Sequence, residues 1–256
     1  MKVARRLGRL ATHPTWAREY WRGWRGVRSR GESSDGELEF SFADRPESVR
    51  DERAAIAEVG GASSGEVERV LSDAWFPDQM PGDTVPGWSR EVLLRCLAAL
   101  VRLTRPRVVV EVGVERGYSS ATILAALEER GEGALHSVDI PPLREAADFT
   151  GKAIPERLRA RWQLTVGPSR RVLGQLAERV QPVDLFVHDG DHSYDAQLED
   201  LEVVWPRLRP GAIVLVDDVW TAAVFDFAES HGTAPIVIQR ADSRDGVGLL
   251  RKPRAG

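Results

Sequence analysis

Two short runs concentrate the polar chemistry of this 256-residue chain: His188-Asp189-Gly190-Asp191-His192-Ser193-Tyr194 and the pair Asp217-Asp218. Each follows an apolar segment rich in β-branched residues, Val183 to Val187 before the first and Ala212 to Val216 before the second, so each is expected where a buried strand ends. Asp189, Asp217 and Asp218 gathered in one cleft repel one another and raise each other's pKa. A divalent cation removes that penalty, and ligation by carboxylate oxygens suits magnesium better than zinc. His192, three residues past Asp189, can face the same cleft, where an imidazole with an ordinary pKa of about 6.5 takes the proton of a hydroxyl. Plainer uses stand beside these. Asp191 reads as the N-cap of the next helix, Asp218 as another cap and His188 as cleft lining, while Tyr194 and Trp220 form either an acceptor wall or ordinary packing.

A second constellation runs from Arg107 to Leu124. Val108 to Val110 form a strand suited to burial on both faces, ending at Glu111. Gly113 and Gly117 open a tight turn, and Ser119 or Ser120 is expected to cap a helix that carries Ile123, Leu124 and Leu127 on one side. Such a turn makes a cradle: N–H groups at the helix start hold an anionic group, and Glu111 offers a carboxylate to a cationic one. The spacing argues against a dinucleotide, because with Gly113 as the first glycine of G-x-G-x-x-G the other two places hold Glu115 and Tyr118. Asp139 ends a second strand over Leu135 to Val138, about 20 residues beyond the glycine turn, where a carboxylate accepts the hydroxyls of a ribose. Its competing use is to cap the turn at Pro141 and Pro142.

These residues need a frame that delivers strand ends to one edge. The first 30 residues hold nine Lys or Arg against Glu19 alone; with a formal net charge of −4 for the whole chain, the remainder carries −12. An acidic body argues against broad nucleic-acid binding. Trp16, Tyr20 and Trp24 fall at helical spacing among arginines, which reads either as a membrane-surface or partner-docking helix or as a terminal helix packed on its own domain or a sister subunit in a homo-oligomer. Residues 1–36 form this basic aromatic segment and a linker at Gly31 to Gly36. Residues 37–87 form a helical extension. It holds a helix within Pro46 to Val59 stopped by Gly60 and Gly61, a second helix opened by a Ser63/Glu66 capping box, and a proline-rich loop over Phe76 to Gly87 as a possible lid. Residues 88–256 then alternate, with Ser89 capping the first helix. Strands are expected at Trp162 to Val166 and Pro235 to Gln239, a helix at Thr221 to Ser230, a turn at Asp245-Gly246, and a closing hairpin strand over Val247 to Arg251. The fold class is α/β: a Rossmann-like, mostly parallel sheet with helices on both faces and a C-terminal antiparallel hairpin. Cys96 is the only cysteine, no apolar run approaches the length of a membrane span, and the arginine-interrupted start lacks the centre of a secretory signal, so a cytoplasmic protein is expected.

The pattern acidic-x-Gly-x-x-x-Gly over Glu111, Gly113 and Gly117 resembles the first motif of the class I S-adenosylmethionine-dependent methyltransferases. The run Asp-Gly-Asp-His-Ser-Tyr, followed by Leu-Arg-Pro-Gly-Ala-Ile-Val-Leu-Val-Asp-Asp, is similar to one branch of them. That branch contains metal-dependent sugar O-methyltransferases of the macrocin and mycinamicin type and cephalosporin hydroxylase-like proteins, and the likeness covers roughly Trp88 to Lys252. The resemblance implies an S-adenosylmethionine site with contacts from Glu111, Gly113, Gly117, Ser119, Asp139 and Asp189. It also implies a magnesium ion on Asp189, Asp217 and Asp218, His192 as the base, and a small-molecule hydroxyl as acceptor. Two departures matter. Pro168 stands where the family commonly has an Asp near the adenine, leaving Ser169 as the contact there, and Val219 stands where catechol-type members have an Asn ligand. A metal-independent N- or O-methyltransferase and a non-catalytic nucleoside-binding protein are the alternatives.

Overall fold

The computed structural model describes residues 45–74, 88–140, 149–239 and 246–254. The basic aromatic segment, the loop over Phe76 to Gly87, the Pro141-Pro142 turn and Asp245 lie outside the described residues. Side chains of α3 are described from Glu91 onward, so the cap expected of Ser89 is outside them too.

Asp51 opens α1 (Glu52–Gly60) by accepting from Ala54 N, and Gly61 ends it at φ +67°. The helix expected from Pro46 is therefore split: Pro46–Ser48 is one 3₁₀ turn, because its proline starts a turn that the extended Val49 does not continue. Ser63 and Glu66 make the reciprocal capping box at the start of α2 (Ser64–Ser72). The alternation then runs α3 (Trp88–Thr104), β1 (Val108–Val112), α4 (Tyr118–Arg130), β2 (Ala134–Asp139), β3 (Trp162–Val166), α5 (Ser169–Val180), β4 (Val183–His188), α6 (Tyr194–Val204), β5 (Leu208–Val216), α7 (Ala223–Ser230), β6 (Ile236–Gln239) and β7 (Gly246–Arg251).

The strands form one seven-stranded sheet in the order β3-β2-β1-β4-β5-β7-β6. The first five are parallel, and β7 runs antiparallel to both β5 and β6. This is the Rossmann-like arrangement expected from the sequence. Alternation along each strand divides the core: Val109, Leu135, Leu185 and Ile213 face α1 to α4, while Val110, Phe186 and Val214 face α5 to α7. Both faces are covered, which is why successive apolar residues of β1, β4 and β5 are buried on opposite sides of the sheet. No helix among the described residues is long and apolar enough to cross a membrane.

The order switches at β1, whose neighbours are β2 and β4, and there the strand exits are stitched side by side. Gly113 N donates to Val138 O at 2.9 Å, Asp189 N to Val112 O at 2.8 Å and Asp217 N to His188 O at 2.9 Å. Gly113 has φ +88°, and a Cβ on it would stand 1.9 Å from Asp189 O. The neighbouring strand exit by itself therefore requires the glycine. Gly113→Ala combines left-handed strain with backbone overlap and is expected to cost more than about 3 kcal/mol in urea unfolding; a loss below about 1 kcal/mol would contradict this packing.

Candidate active site

At the carboxyl end of β1 the chain buries a charge. Glu111 is fully buried, yet its Oε1 accepts from Ser119 Oγ at 2.6 Å, and its Oε2 accepts from Ser120 Oγ at 2.6 Å and from Ser137 Oγ at 2.7 Å. Burial raises the Glu111 pKa, and the three hydroxyl bonds oppose that rise. Ser137 in turn accepts from Trp162 Nε1 at 3.0 Å, tying in β3. Both oxygens of Glu111 are thus engaged by the protein's own serines. One expectation is corrected: neither Ser119 nor Ser120 caps α4. Both serines lie inside the helix, their hydroxyls drawn inward by the buried carboxylate, and Gly117 at φ +89° is the N-cap with no side-chain bond of its own.

Gly117 is hemmed in as well. A Cβ there would meet Gly151 Cα at 2.8 Å and Ile154 Cγ1 at 2.9 Å, and the backbone N–H groups of Gly151 and Ala153 donate to the carbonyls of Glu115 and Arg116. The connection between β2 and β3 thus straps the entrance of α4. Asp139, at the end of β2, accepts from Ile140 N at 2.8 Å and Glu115 N at 3.2 Å. Burial pushes its pKa up to about 6. Gly167 N donates to Asp139 O at 3.0 Å, which sets Pro168, the N-cap of α5, and Ser169, its first residue, beside the Asp139 exit.

The other half of the cleft is built by β4 and β5. His192 Nε2 stands 3.9 Å from Asp189 Oδ1 and 3.8 Å from Asp218 Oδ2, ion-pair distances beyond direct hydrogen bonding. Asp218 adopts φ +49°, a left-handed backbone uncommon outside glycine, at the exit of β5. Asp217 is 6% exposed. Its carbonyl accepts from Gln197 Nε2 at 3.4 Å, and Gln197 Oε1 accepts from Thr221 Oγ1 at 3.3 Å. The three carboxylates expected to share a cation are therefore not equivalent: Asp189 and Asp218 flank His192. Among the described residues no three His, Cys, Asp or Glu side chains gather with the spacing of a cation cage. The described residues therefore form no preformed cation cage.

Several plainer readings change as well. Ser193, not Asp191, is the N-cap of α6, and Asp191 Oδ1 accepts from Ser193 N at 3.1 Å two residues on. Asp218 does not cap α7, whose N-cap is Ala222. His188 does not line the cleft; it is fully buried, 3.3 Å from Asp200 of α6. Tyr194 donates its hydroxyl to Asp226 at 2.8 Å, joining α6 to α7. The bonds of Ser120 and Ser137 to Glu111, of Trp162 to Ser137 and of Gln197 to Asp217, and the contact of Asp200 with His188, escape sequence reasoning. Nothing in the mixed sequences of β2 and α6 marks Ser137, Gln197 and Asp200 as the buried polar residues there.

Residues 110–219 match the methyltransferase domain family. A putative O-methyltransferase of Mycobacterium sp. (strain JLS) is 32% identical over 126 residues, 47% of this chain and 52% of that protein. The 8-demethyl-8-(2-methoxy-alpha-L-rhamnosyl)-tetracenomycin-C 3′-O-methyltransferase of Streptomyces olivaceus is 30% identical over 79 residues, 31% of this chain and 19% of that protein. The chain thus spans about half of one curated relative and about a fifth of the other. The solved O-methyltransferase TomG of Streptomyces achromogenes, in complex with S-adenosylmethionine, superposes with a TM-score of 0.51 at 21% identity, covering 78% of this chain and 89% of that one. At that identity it speaks to the fold alone.

Glu111→Ala leaves three buried hydroxyls without their shared acceptor and should cost roughly 2–5 kcal/mol in urea unfolding, with Glu111→Gln milder because an amide fills the same space. Equal loss in the two variants would contradict the buried-acceptor role.

Proposed function

We propose that this chain is a class I S-adenosylmethionine-dependent methyltransferase that transfers a methyl group to a hydroxyl of a small molecule. The observation that carries the reading is the alignment of the β1, β2, β4 and β5 exits, which sets a nucleoside cradle and a histidine flanked by two carboxylates along one edge of the sheet. Open α/β sheets bind ligands beyond this edge, at the switch in strand order.

When bound, S-adenosylmethionine supplies an electrophilic methyl group on a positively charged sulfur. Asp139 accepts from the ribose hydroxyls, and the turn from Gly113 to Gly117 brings backbone rather than side chains against the ligand. Ser169, at the start of α5, lies on the adenine side, and Asp189 belongs to the methionine side of the cleft. His192 takes the acceptor hydroxyl's proton at Nε2, since a neutral alcohol is a poor nucleophile. The flanking Asp189 and Asp218 hold the resulting imidazolium by charge. A sugar or natural-product acceptor is the finer part of the proposal; the relative named for 3′-O-methylation of a rhamnosyl tetracenomycin favours it.

Metal dependence is a second, separate part. Asp189 and Asp218 bring two oxygen donors toward one cleft, the chemistry that a hard divalent cation takes. His192→Ala should slow transfer by roughly 10²- to 10⁴-fold with cofactor affinity little changed. Chelated parent enzyme separates the two routes: full activity leaves the histidine working alone, whereas loss restored by magnesium makes the carboxylates ligands. A fully active His192→Ala enzyme would remove His192 as the base.

Asp139 gives a pH signature. Its folded pKa, raised to about 6 by burial, means that without ligand this group favours the folded state most at acid pH, a contribution lost as pH rises through about 6. Ribose hydroxyls donate to the ionised form, so binding runs the other way. Calorimetric titration with S-adenosylhomocysteine should show affinity falling as pH drops from 8 to 5, with a step near 6 that Asp139→Asn abolishes; a pH-independent affinity would contradict the assignment.

A further inference from the structure

The opposite end of the sheet holds a concentration of charge that the chemistry above does not use. β5 runs nine residues from Leu208 to Val216, so Arg209 lies roughly 25 Å from Asp217 along the strand. β7 returns alongside it, and the pairing continues past Arg251, with Lys252 N donating to Ala212 O and Gly211 N to Lys252 O. Gly211 has φ +78°, and a Cβ on it would stand 3.5 Å from Arg254 Nε and 3.7 Å from Arg209 Nη1. A gap about the size of a methyl group therefore separates the two guanidinium-bearing side chains at Gly211.

Arg251 adds a third charge. Its Nε is buried without a hydrogen bond, and burial, then the charges of Arg254 and Arg209, hold its pKa below the ordinary guanidinium value. Its Nη1 lies near Gly61 at the C-terminal end of α1, a setting that favours a cation but accounts for only one of the three. The neighbouring carboxylate is already engaged: Asp184 pairs with Arg209 and also accepts the N–H groups of Arg107 and Val108, each at 2.8 Å. Lys252 turns away, its Nζ donating to Trp205 O at 2.7 Å and Leu208 O at 2.9 Å. Among the described residues no carboxylate pairs with Arg251 or Arg254 within 4.0 Å. In a body that is acidic overall, this local excess of positive charge is not the average background.

The geometry points to an oxyanion site at this end of the sheet, where Arg209 and Arg254 beside Gly211, with Arg251 close enough to feel both charges, hold a phosphate group, free or carried on a larger molecule. Like charges brought this close repel unless an anion lies between them, and the planar fork of arginine matches two oxygens of a phosphate at once. Neither S-adenosylmethionine nor its product carries a phosphate, so the site is independent of the cofactor and of the function proposed above.

The test is calorimetry on the full chain, titrated with inorganic phosphate against chloride at equal ionic strength. The parent should bind phosphate, Arg254→Gln and Arg251→Gln should each weaken binding at least about tenfold, and S-adenosylhomocysteine affinity should not change. A second titration uses vesicles containing phosphatidic acid. Binding of inorganic phosphate alone assigns a soluble ligand, and arginine-dependent binding of both assigns a phosphate presented on a membrane. Absence of phosphate-specific binding in the parent, or equal affinity in parent and Arg254→Gln, overturns the site.

Discussion

The buried carboxylate of Glu111 constrains more of this structure than any other group. Taking a carboxylate out of water costs several kcal/mol unless its lone pairs are used, and here three serine hydroxyls use them, two from the first turn of α4 and one from β2. That requirement decides the entrance of the helix. Serines that would serve as caps are turned inward, so the cap falls to Gly117, which alone tolerates φ +89° under the strap of Gly151 and Ile154. Through Ser137 and Trp162 the same group fixes β3 against β2. Strand, turn and helix are thereby locked from below, and the surface above them is backbone held in one shape.

On the proposed function, rigidity at this point serves the chemistry. Gly113 lets the β1 exit lie against the backbone of Asp189, so the cradle and the second half of the cleft share a wall. Asp189 and Asp218, delivered by different strands, then meet across His192. Pre-set geometry of this kind lowers the barrier to group transfer, since a hydroxyl and an electrophilic carbon must be held in line before the proton can leave. The carboxylates thereby differ in their surroundings: Glu111 is bound by three serines, burial raises the pKa of Asp139 to about 6, and Asp189 and Asp218 flank His192, the positions that the proposed function uses for a ribose and a base.

The fold was legible because its signals are redundant. Apolar strands of β-branched residues, a glycine turn, a capping box at Ser63 and a closing hairpin all point one way, and the strand boundaries fall within a few residues of expectation. The residues at the strand ends were legible too: Glu111, Asp139, Asp189 and Asp217 lie at the carboxyl ends of β1, β2, β4 and β5. What these side chains face was not. Whether Glu111 points at a ligand or at its own helix depends on Ser120 and Ser137, which sit 9 and 26 residues away and become neighbours only in the folded sheet. For the same reason the sequence made Asp189, Asp217 and Asp218 a set, whereas the left-handed backbone at Asp218 aims it at His192, and Asp217 is packed over Gln197.

The central claim is that a nucleoside cofactor lies over the β1 turn with its reactive end toward His192. A structure of the full chain crystallised with S-adenosylhomocysteine tests it most directly. The account predicts the ribose hydroxyls on Asp139, the cofactor against the backbone of Gly113, and the sulfur on the side of the cleft that holds His192, with Glu111 still bound by its three serines. A cofactor seated elsewhere, or one whose sulfur faces away from His192, would contradict it.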